Sequence, residues 1–156
     1  VDIARLARHA VEYFAQKPVM AMISYSNFGS NRAQSPRAVH EAVAVLQQRY
    51  PDLCIDGEMQ VNYALNRQIR DRNYPFSRLY GKDVNTLIFP NLNASSAAYR
   101  MMLEMGLCEV IGPIQIGLNK PVHFISVEAK VRDIVNLAII ATMDAAVSGK
   151  APLADK

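Results

Sequence analysis

Two acidic side chains stand two residues apart in Asp56-Gly-Glu58, at the end of an apolar run that begins at Leu53. On a regular strand this spacing puts both carboxylates on one side, where they would suit general acid and base work. The commoner use of such residues is structural: accepting loop amides and capping the next helix. Glycines in Ser26-Asn-Phe-Gly29-Ser30, in Gly112-Pro113 and at Gly117 would let backbone approach a ligand closely, or simply make tight connections. Lys120, Lys130 and Arg132 could meet phosphates, with solvated surface as the default. His9, His40 and His123 have no paired metal-ligand spacing, so no metal site is expected. Cys54 lies inside an apolar run and reads as a small core residue, and nothing marks Cys108 as reactive.

The elements that must position these residues alternate. Ile3, Leu6, Ala10, Val11 and Phe14 predict an amphipathic helix from Asp2 to Gln16, ending before Pro18. Val19 to Tyr25 is a short apolar run, a buried strand feeding the turn-rich Ser26 to Asn31. Ser35 as N-cap and Pro36 at the first helical position open a second helix, with Val39, Val43, Leu46 and Tyr50 on one face. Leu53 to Met59 is a strand, Asn62 to Arg72 a charged helix, and Asp83 to Phe89 a strand closed by Pro90. A helix from Asn93 to Met105 ends at Gly106. Glu109 to Ile116 and Pro121 to Ile125 read as two further strands. The last helix, Val131 to Val147, is apolar almost all round, which predicts a deep position or a subunit interface. Gly149 ends it, before a frayed tail. Four alternations of strand and helix predict an α/β fold with a largely parallel sheet. The unusual residues fall at the carboxyl ends of the strands, where such sheets bind ligands.

Composition narrows the class. The chain has 156 residues, 51% apolar and 20% charged, enough for one domain with a full core. Its net charge is +3, from 17 basic and 14 acidic residues, with no basic block of the kind a nucleic-acid surface shows. No apolar run reaches the length of a membrane span, and no signal-peptide pattern opens the chain. Two cysteines make no secreted disulfide framework. A cytoplasmic location without nucleic-acid or membrane partners is therefore expected. The chain opens at Val1 directly into a helical pattern, which predicts a piece of something longer. No Gly-x-Gly-x-x-Gly follows a strand, so no nicotinamide dinucleotide is expected here.

Four stretches in order carry a resemblance. They are Asp56-Gly-Glu-Met-Gln60; Leu87-Ile-Phe-Pro-Asn-Leu-Asn-Ala94 with Tyr99; Gly112-Pro-Ile-Gln-Ile-Gly-Leu-Asn-Lys-Pro121; and Val131-Arg-Asp-Ile-Val-Asn136. Together they resemble the phosphate acetyltransferase/butyryltransferase family, over nearly all of Val19 to Ala146 and matching the C-terminal half of its domain. The resemblance implies the layered α/β/α fold, with a mostly parallel sheet, of the isocitrate/isopropylmalate dehydrogenase type. Ser26-Asn-Phe-Gly-Ser30, Asp56-Gly-Glu-Met-Gln60 and Lys120-Pro-Val-His123 are similar to the acetyltransferase-like region of hybrid NADP-dependent malic enzymes. That likeness implies an acetyl-CoA effector, a homo-oligomer, and NADP with a divalent metal only in the rest of the parent chain. It implies CoA-ester contacts at Ser26, Gly29, Ser30, Asn91, Gly112, Pro113, Gly117, Lys120, Ser126, Lys130 and Asp133.

In active members of the family an aspartate, a serine and the arginine after that serine do the chemistry. The aspartate takes the thiol proton, the serine holds the oxyanion, and the arginine orients phosphate. Matching residue by residue, Ser126 keeps the serine and Asp133 the aspartate, while Val127 replaces the arginine. Asn91 stands at an aspartate position, and Ser95-Ser96 replace Gly-Asn. The resemblance therefore implies retained recognition of a CoA ester with no catalytic residue set. The alternative is an active acetyl- or butyryltransferase; a third reading is a pure assembly module.

Overall fold

The computed structural model describes residues 1–106 and 108–148. The elements run α1 (Asp2–Tyr13), β1 (Val19–Ile23), α2 (Gln34–Arg49), β2 (Cys54–Met59), α3 (Val61–Leu65), α4 (Arg67–Asn73), β3 (Thr86–Ile88), α5 (Leu92–Glu104) and α6 (Val131–Ser148). The three strands form one parallel sheet in the order β2-β1-β3. The predicted α/β class with a parallel sheet is what the chain adopts.

β1 shows why its sequence reads Val-Met-Ala-Met-Ile. It is the central strand, covered on both faces, so alternate side chains enter two different cores. Met20 and Met22 join Ala4, Val39, Val43, Leu46, Ile55 and Ile88 in one. Ala21 and Ile23 join Met59, Ala64 and Leu79 in the other. On α2 the buried positions Val39, Val43 and Leu46 follow the three- and four-residue steps of the sequence.

One irregularity in β2 reorganises its end. The β1–β2 register runs Val19↔Cys54 to Met22↔Gly57 and then jumps to Ile23↔Met59. Glu58 is the extra residue, and the alternation reverses there. Ile55 therefore lies in the core beneath α2, whereas Met59 lies in the opposite one. The expectation that Asp56 and Glu58 share a side is overturned by this bulge, because Glu58 is itself the unpaired extra residue and the alternation does not carry through it. Gly57 is required at the jump. Its φ is +145°, and a Cβ there would sit 2.6 Å from the carbonyl oxygen of Met22. Gly57→Ala is expected to destabilise the chain by at least about 2 kcal/mol through overpacking and backbone strain. A urea midpoint that does not move would contradict this.

Several boundaries differ from the sequence reading. α2 starts at Gln34 with no side-chain cap, so Ser35 is already inside its first turn. The single helix expected from Asn62 to Arg72 breaks at Asn66, whose side chain accepts the Ile69 N–H and starts α4 afresh. α1 ends at Tyr13, and Ala4 is its buried residue while Ile3 is exposed. The two strands expected at 109–116 and 121–125 are not formed: neither segment has regular secondary structure or joins the sheet. Gln115 donates its N–H to His123 Nδ1 instead, at 3.3 Å. α6 is not deep in this chain. Leu137 and Ile140 are buried, but Val131, Ile134, Val135 and Ile139 face solvent. The expected stop at Gly149 and the tail lie outside the described residues.

Candidate functional site

The carboxyl ends of β1 and β2 meet in a hydrogen-bonded knot. Glu58 is fully buried, and its Oε1 accepts the Ser26 hydroxyl at 2.9 Å and the Gly29 N–H at 2.7 Å. Its Oε2 lies 3.0 Å from Nδ1 of His40, a half-exposed residue on α2. Ser26 Oγ also accepts the Asn31 N–H, and it lies 3.0 Å from Ser30 Oγ. The Phe28 N–H donates to the Glu58 carbonyl at 2.8 Å. The Phe28 ring then packs on Tyr74 and Phe76, with centroids 4.8 and 5.1 Å away. One buried carboxylate thus anchors the loop after β1 at Ser26 and Gly29.

Burial by itself would raise the Glu58 carboxyl. The N–H of Gly29, the backbone amide of Glu58 itself, the Ser26 hydroxyl and His40 outweigh it and hold the group below its ordinary value. The sign follows from linkage. A carboxylate depressed on folding stabilises the chain at neutral pH, and that contribution is lost as pH falls through the depressed value. Glu58→Gln is expected to lose about 1–3 kcal/mol at pH 7. Its gap to the wild type should narrow below about pH 4, near the ordinary carboxylate range. Urea titrations at the two pH values check this; a gap that stays constant would contradict it.

Asp56 does different work on the other side of β2. Its carboxylate accepts the Gly57 N–H at 3.0 Å, the Ser77 hydroxyl at 2.8 Å and the Arg78 N–H at 2.8 Å. Gln47 adds a bond at 3.2 Å. Asp56 and Glu58 are two separate loop anchors, in line with the structural use weighed for them from sequence.

The remaining predicted positions occupy other places. Asn91 caps α5, its side chain accepting the Ala94 N–H at 3.0 Å. The Gly112–Pro113 bond is cis. Gly117 lies against α1, where a Cβ would come within 2.9 Å of Leu6 Cδ1. Lys120 and Lys130 are exposed. Ser126 Oγ accepts the Glu128 N–H at 3.3 Å, and Asp133 Oδ2 accepts the Lys130 N–H at 3.0 Å. Both groups therefore organise the turn that leads into α6, and Val127 between them is fully exposed. Arg132 is paired with Glu109 at 2.8 Å. The structure brings Ser26, Gly29 and Ser30 together around Glu58. It pairs Lys130 with Asp133 at the start of α6 and places Ser126 in the turn just before it. The hydrogen bonds just described stay within each group.

A third feature is an apolar cavity of about 200 Å³ between α1 and α6, lined by Ala7, Val11, Phe14, Ile116, His123 and Ile140 among others. His123 lines this cavity, with Nε2 buried and without a hydrogen-bond partner. Two important residues were missed by sequence reasoning. His40 becomes the partner of Glu58 only through the crossover of α2. Arg70, in the stretch expected to form a charged helix, is fully buried.

Comparison with known proteins gives this arrangement a family. Residues 1–142 match the family described as phosphate acetyl/butaryl transferase. The chain belongs to that family. An NADP-dependent malic enzyme of Rhizobium meliloti (strain 1021) is 40% identical over 144 residues, which is 92% of this chain and 19% of that protein. The phosphate acetyltransferase of Bacillus subtilis (strain 168) is 33% identical, over 92% of this chain and 44% of its own length. A crystal structure of a phosphotransacetylase from Streptococcus pyogenes superimposes with a TM-score of 0.85 and 33% identity, covering 96% of this chain and 44% of that one. The chain thus spans less than half the length of these phosphate acetyl/butaryl transferase relatives. No helix among the described residues is long and apolar enough to cross a membrane.

Proposed function

We propose that this chain is the acetyl-CoA-sensing, oligomerising region of an NADP-dependent malic enzyme, with malate oxidation carried out elsewhere in the parent protein. The observation that supports this reading most is Val127. It stands fully exposed between Ser126 and Asp133, where the family resemblance places a phosphate-orienting arginine. An aliphatic side chain offers phosphate neither charge nor donor, and Arg132 is already paired with Glu109. Lys130 is near in sequence but supplies a point charge rather than a fork of donors. The turn keeps a hydroxyl and a carboxylate for a thioester and lacks the group that would handle phosphate.

Two further features fit. The loop Ser26 to Ser30 is tied down by Glu58 before any ligand arrives, which lowers the ordering cost of binding. The outer face of α6 presents Val131, Ile134, Val135 and Ile139 to solvent, an apolar surface suited to a symmetric contact. A regulator must bind one state of the enzyme better than another, and a ligand seated beside a subunit contact is placed to do so. CoA phosphates would be met by exposed cations such as Lys120 and Lys130.

Calorimetric titration of the protein with acetyl-CoA tests the reading. Saturable binding, weakened by substitution at Ser126 or Asp133, is expected. Absence of binding in a folded protein that still self-associates would leave an assembly module and overturn it. The second reading, an active phosphate acetyl- or butyryltransferase, is favoured by the retained Ser126 and Asp133 and by the identity to the Bacillus subtilis enzyme. Position 127 decides between them.

A further inference from the structure

At the amino end of the sheet, far along β2 from Glu58, the first residue of the strand meets a lysine. Lys82 Nζ lies 3.2 Å from Cys54 Sγ. The same amine lies 3.2 Å from the Arg78 carbonyl oxygen, which fixes it over the sulfur. Neither residue hangs from a loose segment. Cys54 is paired with Val19 in the sheet and packs against the core beneath it. The Lys82 N–H donates to the Leu79 carbonyl at 3.0 Å, and the Lys82 carbonyl accepts from the buried Arg70. Cys54 and Lys82 line an open cleft of about 360 Å³ with Lys17, Asp52 and Arg8, so a small oxidant reaches the sulfur. Arg8 in that cleft is engaged by Glu12 and Asp52, and it is the Lys82 amine that contacts the thiol.

We propose that Cys54 and Lys82 form an oxidation-dependent covalent bridge, a sulfur–nitrogen bond made at the expense of a peroxide. The first step is a two-electron oxidation. The Cys54 sulfur attacks one oxygen of hydrogen peroxide, the O–O bond breaks, and a sulfenic acid and one water result. In the second step Lys82, having released its ammonium proton to solvent, attacks the sulfur with its lone pair. The S–O bond breaks, the S–N bond forms, and the departing hydroxide takes one of the two amine protons to leave as water, so the bridging nitrogen keeps one hydrogen. The sum is thiol plus amine plus hydrogen peroxide giving the S–N bridge and two waters. Holding the nucleophile in contact with the sulfur is what makes the second step fast relative to further oxidation. A thiol reductant reverses the bridge, returning thiol and amine.

Intact and peptide mass measurements on the whole protein, with and without hydrogen peroxide, test this. The expected product is lighter by two hydrogens, about 2 Da, as loss of water from the sulfenic acid requires. It should hold the peptides of residues 54 and 82 together, resist trypsin after Lys82, and revert with dithiothreitol. Thermal unfolding should shift upward by several degrees in the bridged form, because it closes a loop in the unfolded chain. Lys82→Arg and Cys54→Ser should each abolish the mass loss, and the exposed Cys108 serves as internal control. Several outcomes would overturn the proposal. They are Cys54 recovered as sulfinic acid with Lys82 free, an oxygen-containing bridge about 14 Da heavier, or Cys54 unchanged while Cys108 is oxidised.

Discussion

Arg70→Met is expected to lower unfolding free energy by about 3–5 kcal/mol, the range for removing one member of a buried charged network. Arg70 is fully buried in α4. Its Nη1 donates to the Ala64 carbonyl at 3.0 Å and reaches that of Tyr63 at 3.5 Å. Its Nη2 donates to the carbonyls of Leu79, at 3.0 Å, and Lys82. Asp71 lies 3.5 Å from Nε and balances the charge. One side chain therefore satisfies backbone oxygens from the end of α3 and from the loop before β3. Methionine fills much of the volume and leaves the buried carbonyls of Ala64 and Leu79 without these donors, at about 1–3 kcal/mol each. A domain stable by about 5–15 kcal/mol has little left after that. Arg70→Lys should recover only part of the loss, since a point charge cannot span four acceptors. Urea denaturation followed by near-ultraviolet circular dichroism reads the effect. A change below about 1 kcal/mol, within the range of ordinary surface substitutions, would show that the loop is held by something else.

Val127→Arg is expected to raise acetyl transfer between acetyl phosphate and CoA by about 10²–10³, the usual worth of one electrostatic donor at a reacting centre. The backbone already presents position 127 to solvent between Ser126 and Asp133, so a guanidinium there meets no packed core. Val127→Lys should give a smaller gain, because lysine lacks the bidentate fork that suits phosphate. Acetyl-CoA binding itself should change little, since the substitution adds a phosphate contact and removes none to the thioester. A Val127→Arg protein that binds acetyl-CoA and gains nothing in transfer would show that the defect lies elsewhere, with Asn91 and Ser95-Ser96 the next positions to restore.

The parts legible in the sequence were those governed by local pattern. The Val-Met-Ala-Met-Ile run announced a strand covered on both faces, and β1 is central. The α2 stripe and the Gly106 terminator, with φ +62°, read off directly. The illegible parts depend on contacts between distant segments. The bulge at Glu58 arises from pairing with β1, and nothing in Asp56-Gly-Glu58 alone reveals it. His40 reaches Glu58 because α2 crosses back over the sheet. The charges around Arg70 resemble a surface helix until the loop from Tyr74 to Lys82 closes over them. The segments 109–116 and 121–125 have strand-like sequences, but a strand exists only where its backbone joins a ladder, and neither segment joins the sheet of the described residues. The four family motifs identified the family correctly. The two motif stretches that carry Asp56, Glu58 and Asn91 proved to be loop anchors and a helix cap.

The steady-state rate of thioester formation from acetyl phosphate and CoA by the unmodified protein bears most directly on the proposed loss of transfer. A rate indistinguishable from the uncatalysed background, in a sample whose calorimetric titration shows saturable acetyl-CoA binding, is the expected result. Brisk turnover by the same sample would mean that phosphate is oriented without an arginine at position 127, and would contradict the account.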